Sequence, residues 1–241
     1  MRYLYSIWCI LSFVITFLAL FPVFVILSLF GNWGRKAIWT VIRGWSFVWF
    51  FMIGMVVKIQ YPYGKFDKKK NYIVVANHAS YIDVPFIFRS VPFFVRPLAK
   101  AELAKIPLFG YLYRQVAILV DRSDNKSKAH SIQKLRRALS REGSIFIFPE
   151  GTFNESAEPM KPFYDGAFRL ALQTKTPILP VIFPDAVDRW HYSGVLQWRP
   201  GKITAIFLPP VEVDTFENNM QGLKQQIFDA MTLEKKKNTP S

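Results

Sequence analysis

Residues 71–88 read NYIVVANHASYIDVPFIF: an apolar, β-branched run that stops at Asn77-His78, with Asp83 five residues beyond the histidine. Tyr72–Ala76 is bounded by polar residues and predicts a buried strand. Asn77 or Ser80 can cap a helix that follows, with Val84 to Phe88 as its apolar face. His78 then lies on the strand-to-helix turn and Asp83 in the first helical turns. A fold-back of that turn brings carboxylate to imidazole, which keeps one tautomer and makes the other ring nitrogen a better base. The spacing alone does not establish the contact, and a loop histidine beside a solvated aspartate is the plainer reading of an isolated H-x4-D.

The flanking sequence has the same rhythm. Val56–Gln60, Tyr72–Ala76, Ala117–Val120, Ser144–Phe148, Ile178–Phe183 and Ile203–Leu208 predict strands. Asn125–Arg141 predicts an amphipathic helix with Ile132, Leu135 and Leu139 on one face, Asp124 as its cap and Gly143 beyond its end. Phe216, Met220, Leu223, Ile227 and Met231 follow helical spacing, and Glu234–Ser241 reads as a frayed polar tail. Short apolar strands alternating with helices predict an α/β domain over residues 58–241, a mixed central sheet flanked by helices.

Residues 1–57 are different. From Tyr3 to Phe30 no residue is charged, a stretch longer than the roughly 20 residues that cross a bilayer. A small-residue cleavage site is missing, so the stretch does not read as a removed signal peptide. Ala37–Val57 is a second apolar segment, interrupted by Arg43 and rich in tryptophan, as interfacial helices are. Together they predict an N-terminal two-helix membrane-associating hairpin. Arg35 and Lys36 in its link, with Lys58 and Lys65 to Lys70 after it, place both flanks on the cytoplasmic side, which favours a re-entrant or interfacial hairpin over two spans.

Composition agrees with membrane contact: 51% of the 241 residues are hydrophobic and 17% aromatic. The formal net charge of +14 calls for an anionic partner. The aromatics concentrate in the apolar segments rather than interleaving with Lys and Arg, which argues against nucleic acid. A lone cysteine, Cys9, excludes an internal disulfide framework and a multi-cysteine metal site, and fits a reducing compartment.

Three further places can carry chemistry. Phe148-Pro149-Glu150-Gly151-Thr152 ends a strand in a turn whose backbone N–H groups and threonine hydroxyl can receive an anion; it also reads as an ordinary β-turn with a solvated glutamate. Arg122, after Val120-Asp121, suits a bidentate grip on phosphate or a surface ion pair, and Lys100 shares that ambiguity. No G-x-S-x-G, P-loop, G-x-G-x-x-G or H-E-x-x-H occurs, and His130 and His191 lack metal-ligand spacing. A His–Asp pair without its own nucleophile suits base-assisted attack by a substrate hydroxyl.

In order and spacing these residues resemble the glycerolipid acyltransferase family typified by 1-acyl-sn-glycerol-3-phosphate acyltransferases. Asn77-His78 with Asp83 matches its N-H-x4-D motif, Lys100-Ala101-Glu102-Leu103 its K-x-E-L segment, Arg122 its phosphate-binding arginine, Phe148–Thr152 its third motif and Pro177–Val181 its fourth. The resemblance spans about residues 56–185, and a two-helix N-terminal element is typical of bacterial members. Phe153 and Tyr164 stand where many members have arginine and lysine, with Lys161 nearby. The resemblance implies transfer of an acyl group from acyl-CoA or acyl carrier protein to the 2-hydroxyl of lysophosphatidic acid. It makes His78 and Asp83 catalytic, and Asn77, Lys100, Arg122, Glu150, Gly151 and Thr152 substrate-binding, with no metal or bound cofactor. Another lysolipid or glycerol 3-phosphate as acceptor, and a non-enzymatic basic membrane-binding module, are the competing readings.

Overall fold

The computed structural model describes residues 2–120, 125–217 and 219–239. Two long helices lead, α1 (Arg2–Ser28) and α2 (Gly31–Met52), and Gly31 takes a positive φ where the chain reverses between them. The strands are β1 (Met55–Gln60), β2 (Ile73–Ala76), β3 (Val95–Lys100), β4 (Ile118–Val120), β5 (Ser144–Ile147), β6 (Ile178–Ile182) and β7 (Gly201–Phe207). Between and after them come α3 (Asp83–Ser90), α4 (Phe109–Val116), α5 (Asn125–Arg141), α6 (Gly166–Thr174), the short α7 (Ala186–Arg189) and α8 (Met220–Asn238). The sheet order is β1-β7-β6-β2-β5-β3-β4, parallel throughout except between β6 and β7. It is a mixed sheet flanked by helices, as the alternating pattern predicts.

Strand alternation divides the core into two layers. Val74 and Ala76 of β2 pack with Phe146, Leu179 and Val181 against Phe86 of α3 and Ile38, Trp49 and Phe50 of α2. Ile73 and Val75 face the other way, with Ile145, Ile147 and Ile178, against Leu135 and Leu139 of α5, Phe168 of α6 and Leu223 and Ile227 of α8. The two leading helices thus cover one face of the sheet, and β1 runs straight on from them across residues 57 and 58.

Polar contacts hold this helix pair near both of its ends. Ser6 Oγ donates to the Leu196 carbonyl and accepts from Trp198 N. At the turn between the helices, Ser28 Oγ lies 2.5 Å from the Tyr111 hydroxyl, and Arg35 Nε donates to Glu142 Oε2 at 3.0 Å. The hairpin therefore lies along the α/β part. Tyr3–Ser28 is long and apolar enough to cross a membrane, with a mean hydropathy of 2.8. Its outer side exposes Leu4, Leu11, Ile15 and Ile26.

Three local expectations differ from the structure. β3 was not foreseen, because Pro97 argues against a strand within a sheet; pairing with β4 begins only at Leu98, beyond the proline. No side chain caps α3, whose N-cap is Ile82. The polar tail expected from Glu234 continues α8 to Asn238, with Glu234 and Lys235 buried. Glu234 accepts from the Tyr63 hydroxyl and Lys235 Nζ donates to the Pro159 carbonyl, long-range contacts that local polarity does not announce. Asp124, the expected cap of α5, lies outside the described residues.

Glu142 is the carboxylate that joins Arg35 of α2 to Arg96 of β3. Arg96 is nearly buried, and burial lowers the pKa of its guanidinium while Glu142 opposes that shift. Removing Glu142 strands that charge, so Glu142→Ala should lower stability by about 3 kcal/mol, read as the unfolding midpoint in detergent micelles. A midpoint equal to wild type would show that this triad does not tie the hairpin down.

Candidate active site

Strand order explains why segments 70 residues apart in sequence meet. β2 and β5 are parallel neighbours, so the turns that follow them emerge side by side at the C-terminal edge of the sheet. β3 adjoins β5 and ends at Lys100 on the same edge. Such an edge is where open α/β sheets form ligand crevices.

The turn after β2 folds back as the His–Asp spacing allows. His78 Nδ1 lies 2.9 Å from Asp83 Oδ2, and the same oxygen accepts from the backbone N–H groups of Ala79 and Ser80, each at 2.9 Å. Asp83 is fully buried in the first turn of α3. A carboxylate oxygen that already gathers two N–H donors acts as acceptor, so Nδ1 carries the proton and Nε2 is left as the basic nitrogen. The imidazole stacks on Phe148 with centroids 3.9 Å apart and meets the Phe153 ring edge-on at 4.3 Å.

Glu150 clamps the two turns together. It is 2% exposed; Oε1 accepts from His78 N at 2.8 Å and Oε2 from Lys161 N at 2.9 Å. Burial pushes its carboxyl above the usual range, and those two N–H donors oppose the shift. Asn154 N donates to the His78 carbonyl, completing the clamp. Asn77 ties the end of β2 to the end of β6: its amide donates to the Phe183 carbonyl and accepts from Phe183 N. Both residues were expected at the substrate; in this arrangement their side-chain polar atoms are engaged with backbone.

Gly151 adopts φ 74° in the turn, and Thr152 and Lys100 are exposed at its rim. Lys161 Nζ reaches this turn, donating to Thr152 Oγ1 at 3.0 Å and the Phe153 carbonyl at 3.3 Å. Arg122 lies outside the described residues. His191 is half-buried, with its ring against Ser193 and Tyr192. Among the described residues no group of three His, Cys, Asp or Glu side chains is placed to hold a metal ion. The π contacts of Phe148 and Phe153 were not anticipated; their place beside the two motifs was visible, their facing of the histidine was not.

His78, Lys100, Gly151, Thr152, Phe153 and Glu155 line a cavity of about 710 Å³ whose other walls are largely apolar, among them Phe13 of α1, Trp49 of α2, Leu98 of β3 and Tyr113 of α4. Its size is in the range of small-ligand sites, and it runs between the helix pair and the sheet. A base thus faces a space suited to a molecule with one polar end and one long apolar part.

Residues 60–184, which carry both turns, match the family described as Acyltransferase. The chain belongs to this acyltransferase family. It is 34% identical over 175 residues to the 1-acyl-sn-glycerol-3-phosphate acyltransferase of Limnanthes douglasii, covering 72% of this chain and 60% of that protein. Against the Haemophilus influenzae protein of the same name the figures are 31% over 163 residues and 66% of each chain. The crystal structure of the 1-acyl-sn-glycerophosphate (LPA) acyltransferase PlsC from Thermotoga maritima shares the fold, with a TM-score of 0.78 over 100% of both chains at 24% identity. The matched region spans about 60% of the Limnanthes relatives' length.

The clamp makes a specific demand on the sequence. Glu150→Gln keeps one acceptor oxygen but turns an amide NH2 toward the second N–H donor, so it should cost about 1–3 kcal/mol and disturb the His78 turn. Chemical denaturation and the activity of the same sample measure both effects, and wild-type values for both would show that Glu150 is not a clamp.

Proposed function

We propose that this acyltransferase moves a fatty acyl group from the thioester of acyl-CoA or acyl carrier protein to the 2-hydroxyl of lysophosphatidic acid, forming phosphatidic acid in phospholipid biosynthesis. The observation that carries the reading is the 2.9 Å His78–Asp83 contact, in which the ring lines a largely apolar cavity. His78 Nε2 takes the proton of the acceptor hydroxyl as its oxygen attacks the thioester carbonyl. A new C–O bond forms, the C–S bond breaks, and the proton passes to the departing thiolate. Asp83 holds the tautomer and the imidazolium that forms. Backbone donors or Lys100 steady the oxyanion, and the apolar walls receive the acyl chain.

The acceptor phosphate falls to the Gly151–Thr152 turn, to Lys100 and, as the resemblance assigns, to Arg122. Lys161 restores beside that turn a positive charge of the kind that Phe153 and Tyr164 omit, which favours a phosphorylated acceptor over a neutral lysolipid. The exposed apolar side of α1 suits a bilayer surface, and because the hairpin lies along the α/β part the reading is one of shallow insertion, with the catalytic part on the cytoplasmic side.

His78→Ala should reduce thiol release from acyl-CoA or acyl carrier protein in the presence of lysophosphatidic acid by roughly 10²–10⁴-fold. Activity within twofold of wild type would refute the general-base role, and no thioester consumption by wild type would favour a binding module.

Lys161→Met should raise the KM for lysophosphatidic acid roughly tenfold, since a lost charged hydrogen bond to phosphate is worth about that much. The KM for the thioester should not move. Unaltered acceptor kinetics, or a wild-type preference for a phosphate-free lysolipid, would overturn the phosphate assignment.

A further inference from the structure

Arg43 of α2 and Arg89 of α3 meet over one aromatic ring. The guanidinium carbon of Arg89 lies 3.7 Å from the Phe47 centroid and that of Arg43 lies 5.9 Å from it. Arg43 donates to the Val91 carbonyl, and burial lowers the pKa of its guanidinium while Tyr61 opposes that shift. Both arginines are half-buried, and among the described residues neither makes an ion pair. Arg35 and Arg96, by contrast, share the carboxylate of Glu142. Burial, and then the neighbouring Arg43, holds the Arg89 guanidinium below its usual range.

Two like charges held partly out of water repel each other, and an anion between them relieves that repulsion. A guanidinium stacked on a ring presents its N–H edge in the plane of its fork, the geometry that matches phosphate oxygens. The surroundings say what the phosphate is attached to. Phe47, Val48 and Phe51 are 45%, 57% and 84% exposed, and Trp8 of α1 joins them by donating to the Met52 carbonyl. Aromatic and aliphatic side chains exposed beside arginine are the composition of a surface at the lipid headgroup level. Neither arginine lines the catalytic cavity.

We propose that Arg43 and Arg89 form a binding site for the phosphodiester headgroup of an anionic membrane phospholipid, beside Phe47 and separate from the catalytic cavity. The site rests on the reading that the helix pair lies on a membrane. It gives the enzyme an orientation on the bilayer, with the α2–α3 junction at the headgroups.

The test is flotation of the full-length protein with phosphatidylcholine vesicles, with and without phosphatidylglycerol. Wild type should bind both and bind the anionic vesicles more tightly. Arg43→Gln with Arg89→Gln should lose roughly tenfold or more of its partition onto anionic vesicles, with binding to phosphatidylcholine unchanged. Arg89→Gln alone, whose described contacts include no hydrogen bond to the fold, should lose several-fold and guards against misfolding of the double variant. Arg43→Lys with Arg89→Lys keeps the charge without the planar fork and should lose most of the gain as well.

Full retention by the glutamine or the lysine pair would overturn the site. So would displacement by inorganic phosphate, compared with chloride at equal ionic strength, since that would make it a site for free phosphate. Wild type that binds neither vesicle would refute the membrane reading, and this site with it. Binding to both vesicles without dependence on the arginines would refute the site alone.

Discussion

One carboxylate oxygen, Oδ2 of Asp83, gathers the imidazole N–H of His78 and the backbone N–H groups of Ala79 and Ser80. A buried polar oxygen is costly unless donors meet it, and the donors that meet this one are those of the turn itself. Closure of the turn and the tautomer of the histidine are therefore one event. The result is an imidazole whose free nitrogen is chosen by the backbone before any ligand arrives.

Everything around this contact acts to keep it in place. Parallel pairing of β2 with β5 puts the second turn beside the first, and Glu150 joins them through His78 N and Lys161 N. Asn77 secures the same strand end to β6. From further off, Lys235 of α8 donates to the Pro159 carbonyl, so a helix beyond the residues of the family match supports the segment that returns to Glu150. On the other face the helix pair roofs the cavity and leaves its own outer side apolar. Under the proposed function, catalytic geometry and membrane contact share one scaffold, because the helix pair proposed to lie on the bilayer is also a wall of the cavity that His78 lines.

Much of this was legible in the residues. Strand periodicity located β2, β5 and β6 to within a residue or so, and α5 over Asn125–Arg141, because both faces of those strands and one face of that helix are apolar. The H-x4-D spacing announced a fold-back that a short turn can close. The polar side chains were harder, since their type tells what they can bond and not which way they face. Glu150 and Asn77 looked like ligand contacts, yet their partners lie 72 and 106 residues away in sequence, across strand neighbours that periodicity does not order. β3 was hidden by Pro97. The C-terminal end of α8 was hidden by a run of charged residues, of which Glu234 and Lys235 turn inward to partners far along the chain.

If Asp83 chooses the tautomer of His78 before substrate binds, nitrogen NMR of the protein labelled with ¹⁵N-histidine reads that choice. With three histidines in the chain, the His78 signals can be assigned by loss in His78→Ala. At mildly alkaline pH, wild type should show a protonated Nδ1 and a bare Nε2, and Asp83→Asn should lose that preference. A wild-type ring protonated on Nε2, or a tautomer unchanged by Asp83→Asn, would show that Asp83 does not set the base.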